Sequence, residues 1–382
     1  MGTCFVRCPI SNEGIRMNKT GFGFLRLPRL DPGDEKSIHY EILNPMVDRF
    51  LELGGRYFDT AWTYLNGLSE EALRKSLVER HPRDSFILAD KLPGYLCKTY
   101  DDCSTYFEEC LHRCGVDYFD VYLLHWLNEK NYAIAEQLDE FRFLQELKAQ
   151  GRVKKTGFSY HDSPELLDRI LTAHPEVDYV QLQINYLDWD SPAIQARNCY
   201  DIAVGHGKKV IVMEPVKGGS LAKLSQEGER LLKQIRPHDS VASWAIRFAS
   251  TLPEVEIVLS GMNTMEQLED NMRPLDPVTQ KEWEVLKEVS EIIRANTAIG
   301  CTACGYCFPH CPVNMPIPEY FALYNDYARY PGEDWKIQGN YDILSRSRVP
   351  ASACVACGQC EAHCPQKIGI ISWLKKASEK FE

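Results

Sequence analysis

The sequence predicts an α/β protein in two parts: a closed (β/α)8 barrel over residues 1–295 and a small cysteine-rich domain over 296–382. Three observations predict it. From about residue 50 to 275, short β-branched or aromatic runs alternate with amphipathic helical stretches, the pattern of βαβ units and a parallel sheet. The strand-like runs number close to eight, which suits a closed barrel of the TIM type better than an open sheet. After KEWEVLKEVSEII (281–293) the alternation stops and two dense cysteine runs begin.

Taken in order, GFGFLRL (21–27) reads as the first strand and RYFDTA (56–61) as the second, followed by a helix at SEEALRKSLVER (69–80). SFILADK (85–91) is a strand, and YDDCSTYFEECLHRCG (100–115) a helix ended by glycine. YFDVYLLH (118–125) is a strand, and AIAEQLDEFRFLQELKAQG (133–151) reads as one long helix. VKKTGFS (153–159), DYVQLQIN (178–185), KKVIVMEP (208–215) and VEIVLSG (255–261) supply further strands. An open doubly wound sheet would need G-x-G-x-x-G after its first strand. GFGFLR (21–26) has two of the three glycines and no helix behind it. In the tail, PEYFALYNDYARY (318–330) and ISWLKKASEKF (371–381) read as helices.

The 382 residues are 44% hydrophobic and 25% charged, enough for a full core. A net charge of −11 argues against a nucleic-acid partner, whose footprint is a basic stripe. There is no apolar run of 18 residues, so no membrane span is expected. The segment MGTCFVRCPISNEG lacks the apolar core of a secretory signal, and Val6 stands where myristoylation requires Ser or Thr. Of 15 cysteines, Cys4, Cys8, Cys97, Cys103, Cys110, Cys114 and Cys199 are scattered in no disulfide-framework pattern, so a reducing cytoplasm is expected.

The remaining eight cysteines lie in CTACGYCFPHCP (301–312) and ACVACGQCEAHCP (353–365). A [4Fe–4S] cube takes three thiolates from one C-x2-C-x2-C loop and a fourth from elsewhere; in C-x2-C-x2-C-x3-C-P the fourth cysteine serves the other cluster. On that pattern Cys301, Cys304, Cys307 and Cys364 hold one cluster, and Cys354, Cys357, Cys360 and Cys311 the second. Zinc ribbons use C-x2-C pairs with four thiolates per ion; the third cysteine and the trailing Cys-Pro, each present twice, point away from zinc. Covalent haem would need C-x-x-C-H. The tail resembles the two-cluster ferredoxins of bacteria, but its runs start 53 residues apart, Cys301 to Cys354, farther than in a minimal ferredoxin.

Asp59, Lys91 and His125 stand at predicted strand ends, and Tyr64 follows five residues after Asp59. Catalytic groups of a barrel come from the C-terminal ends of different strands. A phenol has an ordinary pKa of about 10, and a cation within about 4–6 Å lowers it. Lys91 is the candidate cation, Asp59 its counter-ion, His125 a donor to a substrate oxygen, and Tyr64 the proton donor in reduction and base in oxidation. Singly, each has a bland reading: a capping Asp, a solvated Lys, a satisfied His.

This constellation resembles the aldo-keto reductases, through GFGFLRLP (21–28), YFDTAWTYLNGLSEEAL (57–73), Lys91, His125, GRVKKTGFS (151–159) and QINY (183–186). The resemblance implies a (β/α)8 barrel, a tetrad of Asp59, Tyr64, Lys91 and His125, and hydride transfer between a nicotinamide and a carbonyl or alcohol. The implied nucleotide-binding set is Gly23, Ser159, Gln183, Met213, Pro215, Gly218, Gly219, Ser260, Gly261, Gln267 and Asn271. Ser159 and Gln183 fall where the carboxamide is held; Tyr160 replaces an Asn there, and Met213 replaces a stacking aromatic ring. Trp62, Trp126, Tyr160, Tyr186 and Trp189 either line an aromatic substrate pocket or pack in the core.

Hydride transfer moves two electrons together and a cluster moves one, which leaves three readings. The clusters relay electrons between a ferredoxin or another carrier and a redox group in the barrel, with a flavin as one candidate and EPVKGGS (214–220) as its phosphate loop. Alternatively the clusters are structural and the barrel is an ordinary NAD(P)H carbonyl reductase, or the tail is a docking module for an electron-transfer partner. Where NADPH-using members place Lys and Arg against the 2′-phosphate, this sequence has Gly261 and Gln267. NADH is therefore expected to bind more tightly than NADPH when the two dissociation constants are compared; markedly tighter NADPH binding would refute it.

Overall fold

The computed structural model describes residues 19–31, 34, 36–191, 194–274, 276–329 and 334–382. Cys4, Cys8, the N-terminal signal and myristoylation readings and Tyr330 lie outside the described residues. By compactness the chain divides into one unit comprising the chain up to Val216 with Ala242–Gln280, and a second comprising Lys217–Val241 with Lys281–Glu382.

The first unit is built on eight strands: β1 (Thr20–Gly23), β2 (Tyr57–Asp59), β3 (Ile87–Leu92), β4 (Phe119–Leu127), β5 (Val153–Tyr160), β6 (Tyr179–Gln183), β7 (Lys209–Met213) and β8 (Val255–Ser260). They pair in chain order and β8 returns to β1, closing the barrel. Every pairing is parallel. Tyr57, Ala89, Val121, Leu123, Tyr179, Ile211 and Leu259 form a buried cluster contributed by six of the strands, a filled interior rather than a pore. The helices of this unit are α1 (Tyr40–Glu52), α2 (Ser69–Leu73), α3 (Tyr100–Cys114), α4 (Glu129–Gln137), α5 (Glu140–Ala149), α6 (Pro164–Ala173) and α7 (Ala196–Gly205). α8 (Gln226–Ile235) groups with the second unit; α9 (Val241–Thr251), save its first residue, and α10 (Met265–Asn271) group with the first.

Local chemistry explains the boundaries. Thr99 and Asp102 form a capping box at the start of α3, and Gly115 ends it in the left-handed region at φ 72°. The stretch read as one helix over 133–151 is two: Asp139 takes φ 53° and breaks it. An Asp tolerates that conformation, and apolar residues on both sides hide the break from a periodicity argument. The helix read over 69–80 is α for only Ser69–Leu73 and continues as a π turn over Arg74–Val78. The first strand stops at Gly23, short of Leu27.

The second unit carries α11 (Gln280–Ala295), all but its first residue, then α12 (Ile317–Arg329), α13 (Asp334–Ser347), α14 (Gln359–Ala362) and α15 (Ile370–Phe381). Met315, Ile317, Tyr320, Phe321, Tyr341, Leu374 and Phe381 are buried in one core. Phe381 stacks on Tyr341 with ring centroids 5.1 Å apart. Among the described residues no helix is long and apolar enough to cross a membrane.

Gly157 on β5 shows how tightly the barrel wall is built. A Cβ there would fall 2.2 Å from the backbone oxygen of its register partner Tyr179. Gly157→Ala is expected to cost about 1–3 kcal/mol as the β5–β6 pairing is forced apart, seen as a lowered Tm. An unchanged Tm would contradict this packing.

Candidate active site

One end of the barrel collects the chemistry, because parallel strands all present their C-termini there. Gly23, Asp59, Gln183, Met213 and Ser260 are the last residues of β1, β2, β6, β7 and β8. Lys91 and Ser159 are the penultimate residues of β3 and β5, and His125 lies two residues before the end of β4.

Lys91 is fully buried, and its Nζ donates to Asp59 Oδ2 and to the Thr60 carbonyl, each at 2.7 Å. The same Nζ lies 4.7 Å from the centroid of the Tyr64 ring. Tyr64 meets His125 edge to face with centroids 5.7 Å apart. The structure thus brings Asp59, Tyr64, Lys91 and His125 around one point. His125 Nδ1 and Asp59 Oδ1 are buried with no hydrogen-bond partner among the described residues, leaving polar capacity at this point for a bound molecule.

The electrostatics differ from the sequence expectation at Tyr64. Burial, and then the neighbouring Asp59 carboxylate, push its phenol well above the ordinary range. The reason is geometric: the ammonium sits over the ring face and is already paired with Asp59. Tyr64 therefore holds its proton at neutral pH. Burial, followed by the Lys91 charge, drives His125 well below the ordinary imidazole range, so it stays neutral. Asp59 is pushed up by burial, against the opposing effect of Lys91.

Beneath Lys91, Asp90 accepts the Lys91 backbone N–H at 2.8 Å and a Cys114 thiol contact at 3.6 Å. Glu70, with a carboxylate oxygen 3.0 Å from Arg113, is pushed upward by burial and by Asp90.

The loops here are strained. Leu65 and Asn66, directly after Tyr64, take φ 51° and 53°; Trp126, directly after His125, takes 64°; Glu214, directly after β7, takes 54°. Non-glycine residues rarely adopt these values. The Trp126 corner is fastened from both sides: Ser159 Oγ accepts its N–H at 2.7 Å, and Asn131 Nδ2 donates to its carbonyl at 2.7 Å. Tyr95 packs edge to face on Trp126 at 5.5 Å and lies 6.0 Å from His125.

Other predicted nucleotide residues are engaged with protein groups. Gln183 Nε2 donates to Asp188 Oδ2 at 2.8 Å, as does Asn185 Nδ2. Met213 Sδ accepts from Gln181 Nε2 at 3.7 Å. Asn271 Nδ2 donates to Ser260 Oγ at 2.9 Å, and Gln267 Oε1 accepts the Asn263 N–H at 2.9 Å. Sequence reasoning missed Arg26, whose guanidinium pairs with Glu214 at 3.2 Å while its side chain packs on Gly261. Only the three-dimensional approach of the β1 and β7 loops reveals that pair. Pro215 follows the strained Glu214. Trp126 joins Tyr95 beside His125, whereas Tyr186 and Trp189 pack on Phe248, Trp62 packs edge-on to Tyr106, and the Tyr160 hydroxyl donates to the Ser163 carbonyl.

Within the second unit, Cys301, Cys304, Cys307 and Cys364 line one cavity with Phe321 and Ile370. Cys311, Cys354, Cys357 and Cys360 line another with Val313 and Leu374. Ile317 lines both. The Ala303 N–H points to Cys301 Sγ at 3.4 Å and the Met315 N–H to Cys311 Sγ at 3.3 Å. In the same unit Lys217, expected at a phosphate, is buried and donates to Gln366 Oε1 at 3.0 Å. Gly218, at φ 63°, lies where a Cβ would fall 2.3 Å from the Thr302 carbonyl oxygen; Gly219 takes φ 97°. These two contacts hold the loop after β7 against the residues following Cys301 and Cys364.

A family model described as the aldo/keto reductase family matches residues 21–291, and one described as a 4Fe-4S dicluster domain matches 300–368. An uncharacterised oxidoreductase of Bacillus subtilis is 24% identical over 307 residues, covering 73% of this chain and 94% of its own length. An NADH-specific methylglyoxal reductase of Escherichia coli is 24% identical over 295 residues, covering 65% and 88%. Among solved structures, an aldo/keto reductase from Klebsiella pneumoniae in complex with NADP and acetate matches with TM-score 0.58 at 20% identity, covering 71% of this chain and 91% of that one. The holo form of an aldo-keto reductase from Bacillus halodurans matches with TM-score 0.55 at 24% identity, with coverage of 71% and 91%.

Acidification offers a check on the buried imidazole. The unfolded chain takes a proton on His125 near pH 6.5, whereas the folded chain does so only at much lower pH. The stability this contributes is complete above pH 6.5 and is lost as pH falls below it. His125→Gln is expected to flatten the fall in stability between pH 7 and 5; an unchanged slope would contradict a buried neutral His125.

Proposed function

The chain belongs to the aldo/keto reductase family and ends in a 4Fe-4S dicluster domain, and from that premise we propose that it interconverts a carbonyl and an alcohol with Asp59, Tyr64, Lys91 and His125 as its acid–base group. The observation that carries this reading is the buried Lys91–Asp59 pair with Tyr64 and His125 gathered at the C-terminal end of the strands. A nicotinamide, when bound, would supply the hydride. Neutral His125 donates a hydrogen bond to the substrate oxygen and polarises it. Tyr64, protonated at neutral pH, gives its proton to that oxygen as negative charge develops, and the Lys91 ammonium stabilises the phenolate left behind. The assignment of Ser159, Gln183, Met213, Ser260, Gly261, Gln267 and Asn271 to the nucleotide belongs to this proposal. So does a preference for NADH. The lack of a cation at 261 and 267 supports it, as does neutralisation of Arg26 by Glu214.

The two sets of four thiols would hold the two [4Fe–4S] clusters and supply electrons one at a time. We read them as a relay between an external carrier of ferredoxin type and a two-electron group in the barrel, a nicotinamide or a flavin. The contacts of Lys217 and Gly218 with Gln366 and Thr302 also favour a second reading, in which the clusters brace the loop after β7.

Anaerobic purification followed by absorbance and cofactor extraction tests which redox groups are present. Tyr64→Phe is expected to lower kcat by about 10²–10⁴-fold while leaving nucleotide affinity and iron content unchanged. Turnover at the unmodified rate would remove Tyr64 from the chemistry.

A further inference from the structure

A second set of reactive groups lies under the loop that follows β3. Cys97 comes directly after the short turn Gly94–Leu96, Cys103 lies early in α3, and Glu140 opens α5. Their two sulfurs and a carboxylate oxygen lie within 4.8 Å of one another. All three residues are buried, at 7%, 0% and 2% exposure. Glu140 Oε1 is enclosed with no hydrogen-bond partner among the described residues. A Cβ on Gly94 would fall 2.3 Å from both of its carboxylate oxygens, so only glycine lets the carboxylate reach this position. A buried carboxylate oxygen left unpaired is costly, and buried charges are ordinarily paired or bound to metal. The other buried acid–thiol group, Glu70 with Asp90 and Cys114, differs because Arg113 already lies 3.0 Å from Glu70.

We infer that Cys97, Cys103 and Glu140 form a zinc site, with two thiolates, one carboxylate and a fourth position taken by water. Thiolates select zinc over the hard cations magnesium and calcium. Zn–S bonds of about 2.3 Å and a Zn–O bond of about 2.0–2.2 Å set tetrahedral ligand atoms roughly 3.4–3.8 Å apart, inside the observed spread. Binding releases the two thiol protons, with any proton held by the Glu140 carboxyl, to solvent and moves no electrons. The dication, two thiolates and one carboxylate leave a net charge of −1. The ion would pin the segment carrying Tyr95, which packs against His125 and Trp126. Its role is to fix the segment that packs beside His125, not to act on substrate, and it does not depend on the activity proposed above.

The test uses anaerobically purified full-length protein, loaded with zinc chloride and dialysed against metal-free buffer. Elemental analysis is expected to find about one tightly held zinc per chain, and zinc K-edge absorption to show two sulfurs at about 2.3 Å with oxygen completing the shell. Cys97→Ser/Cys103→Ser is expected to lose the zinc and keep its iron and visible iron–sulfur absorbance. Glu140→Gln is expected to weaken zinc binding at least several-fold. A four-sulfur zinc shell, zinc retained by the double variant, no zinc in the unmodified protein, or a Cys97–Cys103 disulfide found by mass spectrometry would each overturn the site. If the variants do not fold, anomalous scattering at the zinc edge from crystals of the unmodified protein decides: a peak among the three side chains supports the site, and its absence refutes it.

Discussion

The ion pair between Lys91 and Asp59 is the constraint around which this end of the barrel is arranged. Both side chains are almost wholly removed from solvent, at 0% and 3% exposure. Taking two charges out of water is costly, and their attraction offsets that cost only with good geometry and further hydrogen bonds. The geometry is supplied by neighbouring strands β2 and β3, whose parallel register sets Asp59 opposite Ala89, two residues before Lys91. The additional bond comes from the Thr60 carbonyl. Asp59 already answers the ammonium, and the Tyr64 phenol stays above its ordinary range although Lys91 lies against its ring. The result is a protonated phenol over a compensated cation, beside a neutral imidazole.

Backbone strain around the pair follows from the same demand. Left-handed residues directly after Tyr64, His125 and Met213 bend the chain at this end of the barrel, at a cost of order 1–3 kcal/mol each. The regular barrel below absorbs that cost, and hydrogen bonds such as those on Trp126 hold the turns in place. Strain, burial and unpaired polar atoms therefore coincide where catalysis is proposed, while the wall beneath is close-packed around residues such as Gly157.

Much of this was legible in the chain itself. Asp59, Lys91 and His125 close clear apolar runs, and strand ends of a parallel barrel must share one face. The cysteine spacing likewise announces a cluster domain. What escaped depends on contacts between segments distant in sequence. Asp139 breaks a helix without disturbing the apolar pattern around it. The phenol of Tyr64 shifts upward because it is buried and faces the Asp59 carboxylate, which spacing does not reveal. The neighbours of Lys217 and Gly218, Gln366 and Thr302, are invisible in the spacing of EPVKGGS, as is the grouping of Lys217–Val241 with Lys281–Glu382. Arg26 carried no signal, because its partner Glu214 lies 188 residues away.

The central claim is that the Lys91–Asp59 pair serves the chemistry as well as the fold, and a double-mutant comparison tests it most directly. Lys91→Met strands a buried carboxylate and is predicted to cost about 3–5 kcal/mol of stability together with at least about a hundredfold of turnover. Asp59→Asn/Lys91→Met is predicted to regain much of the stability and none of the turnover. Reductive turnover restored along with stability in the double variant would contradict the account, for the pair would then be structural alone.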